Sequence, residues 1–189
     1  LQDVAQKLAE EKSAAILQTT NSINIDEFKK VVEWLDLAGK VQIAGIGGSA
    51  LVAKDLSYKL MKIGIPTLNE FDSHVQITIA NTLQPQDVFL AFSYSGQRKD
   101  ILFAAETAKK KGAYIVAITS LRHSLLHDMA DGVLTTIAEE GDLRSSSISS
   151  RTAQHTIGDL LFLSLVQKRE TQATALIRDM KGVVDDLSR

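Results

Sequence analysis

Cysteine is absent from this chain of 189 residues, so neither a disulfide framework nor a thiolate metal site is open to it. That fits a reducing compartment, and a cytoplasmic location is expected. A basic excess is missing too. The net charge is -2, whereas a surface that grips nucleic acid carries a clear positive surplus. No apolar run is long enough to span a bilayer, so no membrane partner is expected. The opening LQDVAQKLAEEK lacks the apolar core of a signal peptide, and there is no initiator Met. No Pro- or Gly-rich linker divides the chain, so one domain with helical additions at both ends is expected. Two familiar chemical motifs are also missing. Without a Gly-x-Ser-x-Gly elbow a hydrolase is disfavoured. The Gly39-Lys40 pair precedes its strand, so there is no Walker A lysine.

What is present is an alternation. Leu1, Val4, Ala5, Leu8, Ala15 and Ile16 recur at helical spacing. Asn24-Ile-Asp-Glu27 resembles a capping box opening a second helix, with Phe28, Val31, Val32 and Leu35 on its buried face. Gly39 ends that helix. The strand VQIAGI follows, then a helix from Ser49 to Ile63 that stops at Gly64 and Pro66. PTLNE predicts a second strand and residues 72–82 a helix; DVFLAF predicts a third strand and ILFAAETAKKK the helix after it. YIVAITS, a weak helix near 122–130 and the strand VLTTIA complete the pattern. Continuous apolar strands between helices argue for a parallel sheet covered on both faces. A polar stretch, EEGDLRSSSISSR, then leads to the apolar helix TIGDLLFLSLV. Its nearly contiguous Leu160, Leu161, Phe162, Leu163, Leu165 and Val166 exceed what one amphipathic face buries. Such a helix sits in a core or an interface, so a homodimer or tetramer is expected.

Two strand-to-helix turns carry the chemistry. One is Gly45-Ile-Gly47-Gly48-Ser49; the other is Ser93-Tyr-Ser95-Gly96. Ligands of doubly wound sheets bind beyond the carboxyl ends of the strands, where strand order reverses. Glycine lets backbone N–H groups approach closely, helix N-termini favour anions, and serine adds donors without charge. Together they suit a phosphate held by hydroxyls and amides. Either loop alone is also explained by an N-cap and a tight bend. Gly45-x-Gly47-x-x-Ala50 with Glu70 fits a dinucleotide fingerprint as well, which would leave the second loop without a role. His123 and His127 could meet on a helix face as metal ligands, but zinc wants three or four ligands, so a solvated face is expected and no metal or other cofactor.

GIGGSA, SYSG, ITS at 118–120 and RSSSISSRTAQ at 144–154 resemble the sugar isomerase (SIS) domain, a phosphosugar-binding fold, over roughly residues 30–168. More narrowly, GGSALVAKDLSYKLMKIG, DSHVQ and RSSSISSRTAQ resemble the effector domains of RpiR-family transcriptional regulators, in particular those that respond to N-acetylmuramic acid 6-phosphate. The resemblance implies a flavodoxin-like three-layer α-β-α sandwich with a five-stranded parallel sheet, over residues 30–168. Residues 1–29 would form a helical linker or dimerisation segment, and 169–189 a helix packing on the domain or the dimer. It further implies that Ser49, Ser93 and Ser95 hold the phosphate, with backbone from Gly47, Gly48, Gly96 and Gln97. Arg98 stands where SIS domains often have threonine, and either contacts phosphate or points to solvent. Isomerases of this fold place an acid near Glu140; in a regulator that acid would accept hydrogen bonds from sugar hydroxyls. His74 would do the same, or simply cap a helix. Arg151 and His155 lie one helical turn apart, where this fold often reaches a neighbouring subunit. The function implied is a non-enzymatic sensor whose phosphosugar effector modulates DNA binding by a helix-turn-helix domain outside this chain. The alternative is a phosphosugar isomerase or lyase using Glu140 or His74.

Overall fold

The computed structural model describes residues 1–139 and 147–187. Its elements are α1 (Gln2–Asn21), α2 (Ile25–Leu37), β1 (Val41–Gly45), α3 (Gly48–Lys62), β2 (Thr67–Leu68), α4 (Ser73–Ala80) and β3 (Val88–Phe92). There follow α5 (Lys99–Lys110), β4 (Tyr114–Ser120), α6 (Leu125–Met129), β5 (Gly132–Thr136), α7 (Ile148–Lys168) and α8 (Glu170–Leu187). The sheet runs in the order β2-β1-β3-β4-β5 with every pair parallel. Strand order reverses between β1 and β3, and Gly45 pairs with Phe92, so these two strands end level.

Alternation along the strands builds two cores. Val41, Ile43, Val88, Leu90, Phe92, Val116 and Ile118 face α2, α3 and α7. Ala44, Phe89, Ala91, Ile115 and Ala117 face the other way, against an alanine-rich side of α5 at Ala104, Ala105 and Ala108. Large residues fill the first face; small ones let α5 lie close on the second.

Several expected elements change in detail. PTLNE yields a strand only at Thr67–Leu68. Beyond it the Asn69 side chain donates to Ile43 O at 2.6 Å, so an amide replaces the backbone ladder. Asn24 caps α2, accepting from Asp26 N and Glu27 N. The capping box is not reciprocal, however: Glu27 Oε1 accepts from Val133 N at 3.2 Å and anchors β5. α7 begins eight residues before TIGDLLFLSLV, inside the serine-rich stretch. Thr152 and Thr156 return their hydroxyls to the carbonyls one turn back, which keeps these residues in the helix. The apolar excess of α7 is largely absorbed within the chain. Leu161 and Leu165 are fully buried and Leu160, Phe162 and Val166 partly so, while Leu163 stays exposed.

Candidate functional site

Loop one is shaped by backbone packed on backbone. A Cβ at Gly45 would meet the carbonyl carbon and oxygen of Ser49 at 2.8 Å, so the end of β1 touches the first turn of α3. Gly47 then adopts φ 61°, a conformation glycine takes freely. Loop two continues the β3 ladder, with Ser93 N donating to Ile118 O at 3.0 Å. It turns at Gly96, φ 62°, whose backbone lies against Ser124 and Thr119. Ser124 is the cap of α6 and bonds His127 Nδ1 at 2.9 Å. Burial, aided by the neighbouring His123 charge, pushes His127 below the usual histidine range, against the pull of Asp128. His123 in turn pairs with Asp128 at 3.0 Å. These histidines thus buttress loop two, and no cluster of metal-ligating side chains occurs among the described residues.

Both loops open on one cavity of about 240 Å³ above the β1/β3 reversal. Ile46, Gly47, Gly48 and Ser49 form one wall, and Phe92, Ser93, Tyr94, Ser95 and Arg98 a second. A third wall, unforeseen in the sequence, comes from Ser147 and Ser150 at the start of α7. Ser147 holds φ 53°, uncommon for a residue with a side chain. Its carbonyl accepts from Arg151 N, Ser150 Oγ and Arg151 Nε. The Arg151 stem lies over Gly48, 3.1 Å from where a Cβ would be, so α7 is packed onto loop one. The only advance signal for this wall was the serine-rich stretch itself.

Apart from α1, whose N-cap Leu1 also makes no side-chain bond and lies away from the cavity, the helices α2 to α7 fall into two groups by capping. The N-caps of α3, α5 and α7 are Gly47, Arg98 and Ser147; all line the cavity and none makes a side-chain cap bond. The N-caps of α2, α4 and α6 are Asn24, Asp72 and Ser124, and each accepts from its own first turn. First-turn N–H groups lack an intrahelical partner, so the uncapped helices aim their positive ends at the cavity. Ser93 adds a hydroxyl that is 3% exposed and has no hydrogen-bond partner. Among the described lining residues Arg98 is the one ionisable side chain of formal charge at neutral pH.

The expected site residues therefore divide. Gly47, Gly48, Ser49, Ser93, Ser95 and Arg98 come together around the cavity. Gly96 and Gln97 are not among its lining residues: Gly96 is buried against Ser124, and exposed Gln97 has its N–H bonded to Ser95 Oγ at 3.3 Å. His74 is not brought to the lining; it sits exposed in the first turn of α4, its N–H bonded to Asp72. Glu70 is likewise exposed and outside the lining. Glu140 lies outside the described residues. His155 meets Asp55 at 3.5 Å on the seam between α3 and α7. There Lys59 links Asp55 and Asp159; burial disfavours its charge, but the two carboxylates outweigh this and raise its pKa above the usual lysine value.

Residues 35–164 match the model of the SIS domain family, which is more than half of the chain. Solved structures share the fold, three of which illustrate its range. The Vibrio vulnificus NanR protein complexed with ManNAc-6P is 24% identical, with a TM-score of 0.89 over 97% of this chain and 69% of that one. The sugar isomerase domain of an RpiR transcription factor from Sphaerobacter thermophilus is 24% identical, TM-score 0.82, covering 94% and 97%. An E. coli CFT073 protein, c3406, in complex with A5P is 22% identical, TM-score 0.78, covering 89% and 90%.

Proposed function

The chain belongs to the SIS domain family, and on that footing we propose that it is the effector-sensing domain of a bacterial RpiR-type transcriptional regulator, binding a phosphosugar above the β1/β3 reversal. The observation that carries the reading is the contrast in capping. The three helices whose N-caps line the cavity lack side-chain caps, as a site that leaves N–H donors for an anion requires. Hydroxyls of Ser49, Ser93 and Ser95 add uncharged donors, and the Arg98 guanidinium matches the charge of a phosphate. The sugar then extends toward Ser147 and Ser150.

A sensor is favoured over an isomerase by the likeness to regulators, the NanR protein and the sugar isomerase domain of an RpiR transcription factor. An isomerase would need a positioned base, and Glu140, the residue considered for that role, lies outside the described residues. The neighbours support the class of ligand: NanR was solved with ManNAc-6P and the E. coli protein with A5P. The finer choice of effector, N-acetylmuramic acid 6-phosphate, rests on the resemblance to the repressor MurR. In this reading the effector shifts the packing of a homodimer or tetramer, and DNA is bound by a helix-turn-helix domain outside these residues.

A thermal-shift panel of N-acetylmuramic acid 6-phosphate, N-acetylglucosamine 6-phosphate, glucose 6-phosphate and NAD tests this. A ligand at a hundred times its Kd stabilises by about 2.7 kcal/mol. Selective stabilisation by a sugar phosphate, lost in Ser49→Ala with Ser93→Ala, is expected. Ser93→Ala removes no protein hydrogen bond, so that loss reports on the ligand. Stabilisation by NAD alone would return the glycines to a dinucleotide site. Turnover of a bound sugar phosphate would replace the sensor with an enzyme.

A further inference from the structure

Gln154 is the one buried amide among the described residues with neither end hydrogen-bonded. It is 1% exposed, and both Oε1 and Nε2 lack partners. Other buried amides fare better. Gln42 donates to Gln76 O and Asn69 to Ile43 O, each leaving only its oxygen unpaired, and Gln76 bonds both Gly45 O and Glu70 O. A buried amide without partners is costly relative to one that is satisfied. Leucine or methionine would fill the same space without that cost.

Position gives the amide a use. Ser150, Gln154 and Gly158 follow one another at one-turn intervals on α7 and share a face. Ser150 lines the cavity. A Cβ built at Gly158 would lie 4.0 Å from Phe92 Cζ, and Phe92 lines the cavity. Gln154 is thus one turn from a lining residue, Ser150, and one turn from a residue that meets another, Phe92, without being part of the lining itself. Arg151 and His155, on the adjoining face of the same turns, are engaged with α3 instead.

We propose that Gln154 is a specificity-determining residue: its amide takes up a neutral group of the ligand that both donates and accepts, a hydroxyl or secondary amide, entering between Ser150 and Phe92. This rests on the phosphosugar reading and deepens it. The uncapped helices recognise the phosphate that all candidate effectors share. The carboxamide, uncharged and with two donors and two acceptor lone pairs, distinguishes the sugars that carry it. An ionised carboxylate would gain no counter-charge from the two lining residues that adjoin this face of α7, Ser150 and Phe92.

The test is isothermal titration of the wild-type chain, Gln154→Leu and Gln154→Met with inorganic phosphate, glucose 6-phosphate, glucosamine 6-phosphate, N-acetylglucosamine 6-phosphate and N-acetylmuramic acid 6-phosphate. Wild type is expected to prefer one sugar phosphate over the others by about tenfold or more, one neutral hydrogen-bonded group's worth. In both variants that preference should collapse, while the Kd for inorganic phosphate stays within about twofold. Both variants should melt at or above the wild-type temperature, since each removes an unpaired buried group. A preference retained in a folded variant overturns the proposal and assigns Gln154 a packing role. Failure of every phosphate compound to bind wild type overturns the phosphosugar reading itself, and this inference with it.

Discussion

Gly45, Gly48 and Gly96 of the two loops are each constrained by a different neighbour, and the consequences of adding a methyl differ accordingly. At Gly45 the obstacle is the Ser49 backbone at 2.8 Å, which cannot yield without moving α3. At Gly96 it is Ser124 Oγ at 2.0 Å, compounded by φ 62°. Gly48 meets only the Arg151 side chain at 3.1 Å, which can swing aside. Gly45→Ala and Gly96→Ala should therefore each destabilise by about 1–3 kcal/mol. Gly48→Ala should change stability little but loosen α7 from loop one. Gly182, inside α8 with nothing within 4 Å, is the control: Gly182→Ala should stabilise, by up to about 1 kcal/mol. Melting temperatures of the four variants check the order. A drop in Gly48→Ala as large as in Gly45→Ala would contradict the geometry.

At the scale of elements, carboxylates substitute for missing ladder partners. Asp87, 5% exposed, accepts from Lys40 N at 3.0 Å and Gln84 N at 2.8 Å, joining the entries of β1 and β3. Glu27 reaches from α2 to Val133 N and holds the edge strand β5. Removing Asp87 leaves two part-buried N–H groups without their partner, so Asp87→Ala should cost about 2–3 kcal/mol in urea unfolding. Glu27→Ala leaves one such N–H and should cost about 1 kcal/mol. Equal costs would mean that the Asp87 bonds are not the seam that sets the register of β1 and β3. Nothing in either residue's sequence neighbourhood named the distant partners Lys40 and Val133, which are 47 and 106 positions away.

For the whole molecule, the assembly is the open prediction. α7 spends most of its apolar side chains inside the chain, against α1, α2, α3 and the sheet. The apolar surface left over lies elsewhere: Leu176, Ile177, Met180 and Val183 form an exposed stripe along α8, and Val4, Leu8, Ile16 and Leu17 are exposed on α1. Stripes of this kind at helical spacing are what helix pairing between copies buries. Light scattering at micromolar concentration should give a dimer or a tetramer. Met180→Glu with Val183→Glu should shift it toward monomer, with a melting temperature close to wild type if α8 is held mainly by its first turns, where Ala173 is buried. A monomeric wild type would dispose of the assembly.

The amino-acid sequence by itself determined the alternation of strands and helices, the parallel sheet and the two glycine–serine turns. Those are local properties: a period of two or 3.6, a cap, a chain reversal at glycine. It also placed Ser49, Ser93 and Ser95 together, because level strand ends follow from a parallel sheet with reversed order. Only the tertiary structure decided that α7 would supply the third wall through Ser147 and Ser150, that His74 would stay outside the lining, and that Gln154 would be buried and unpaired one turn from Ser150. The physical reason is separation along the chain. Whether a serine is spent on its own helix or left for a ligand, and whether an amide finds a partner, depend on what packs against it from distant residues, and no local pattern records that.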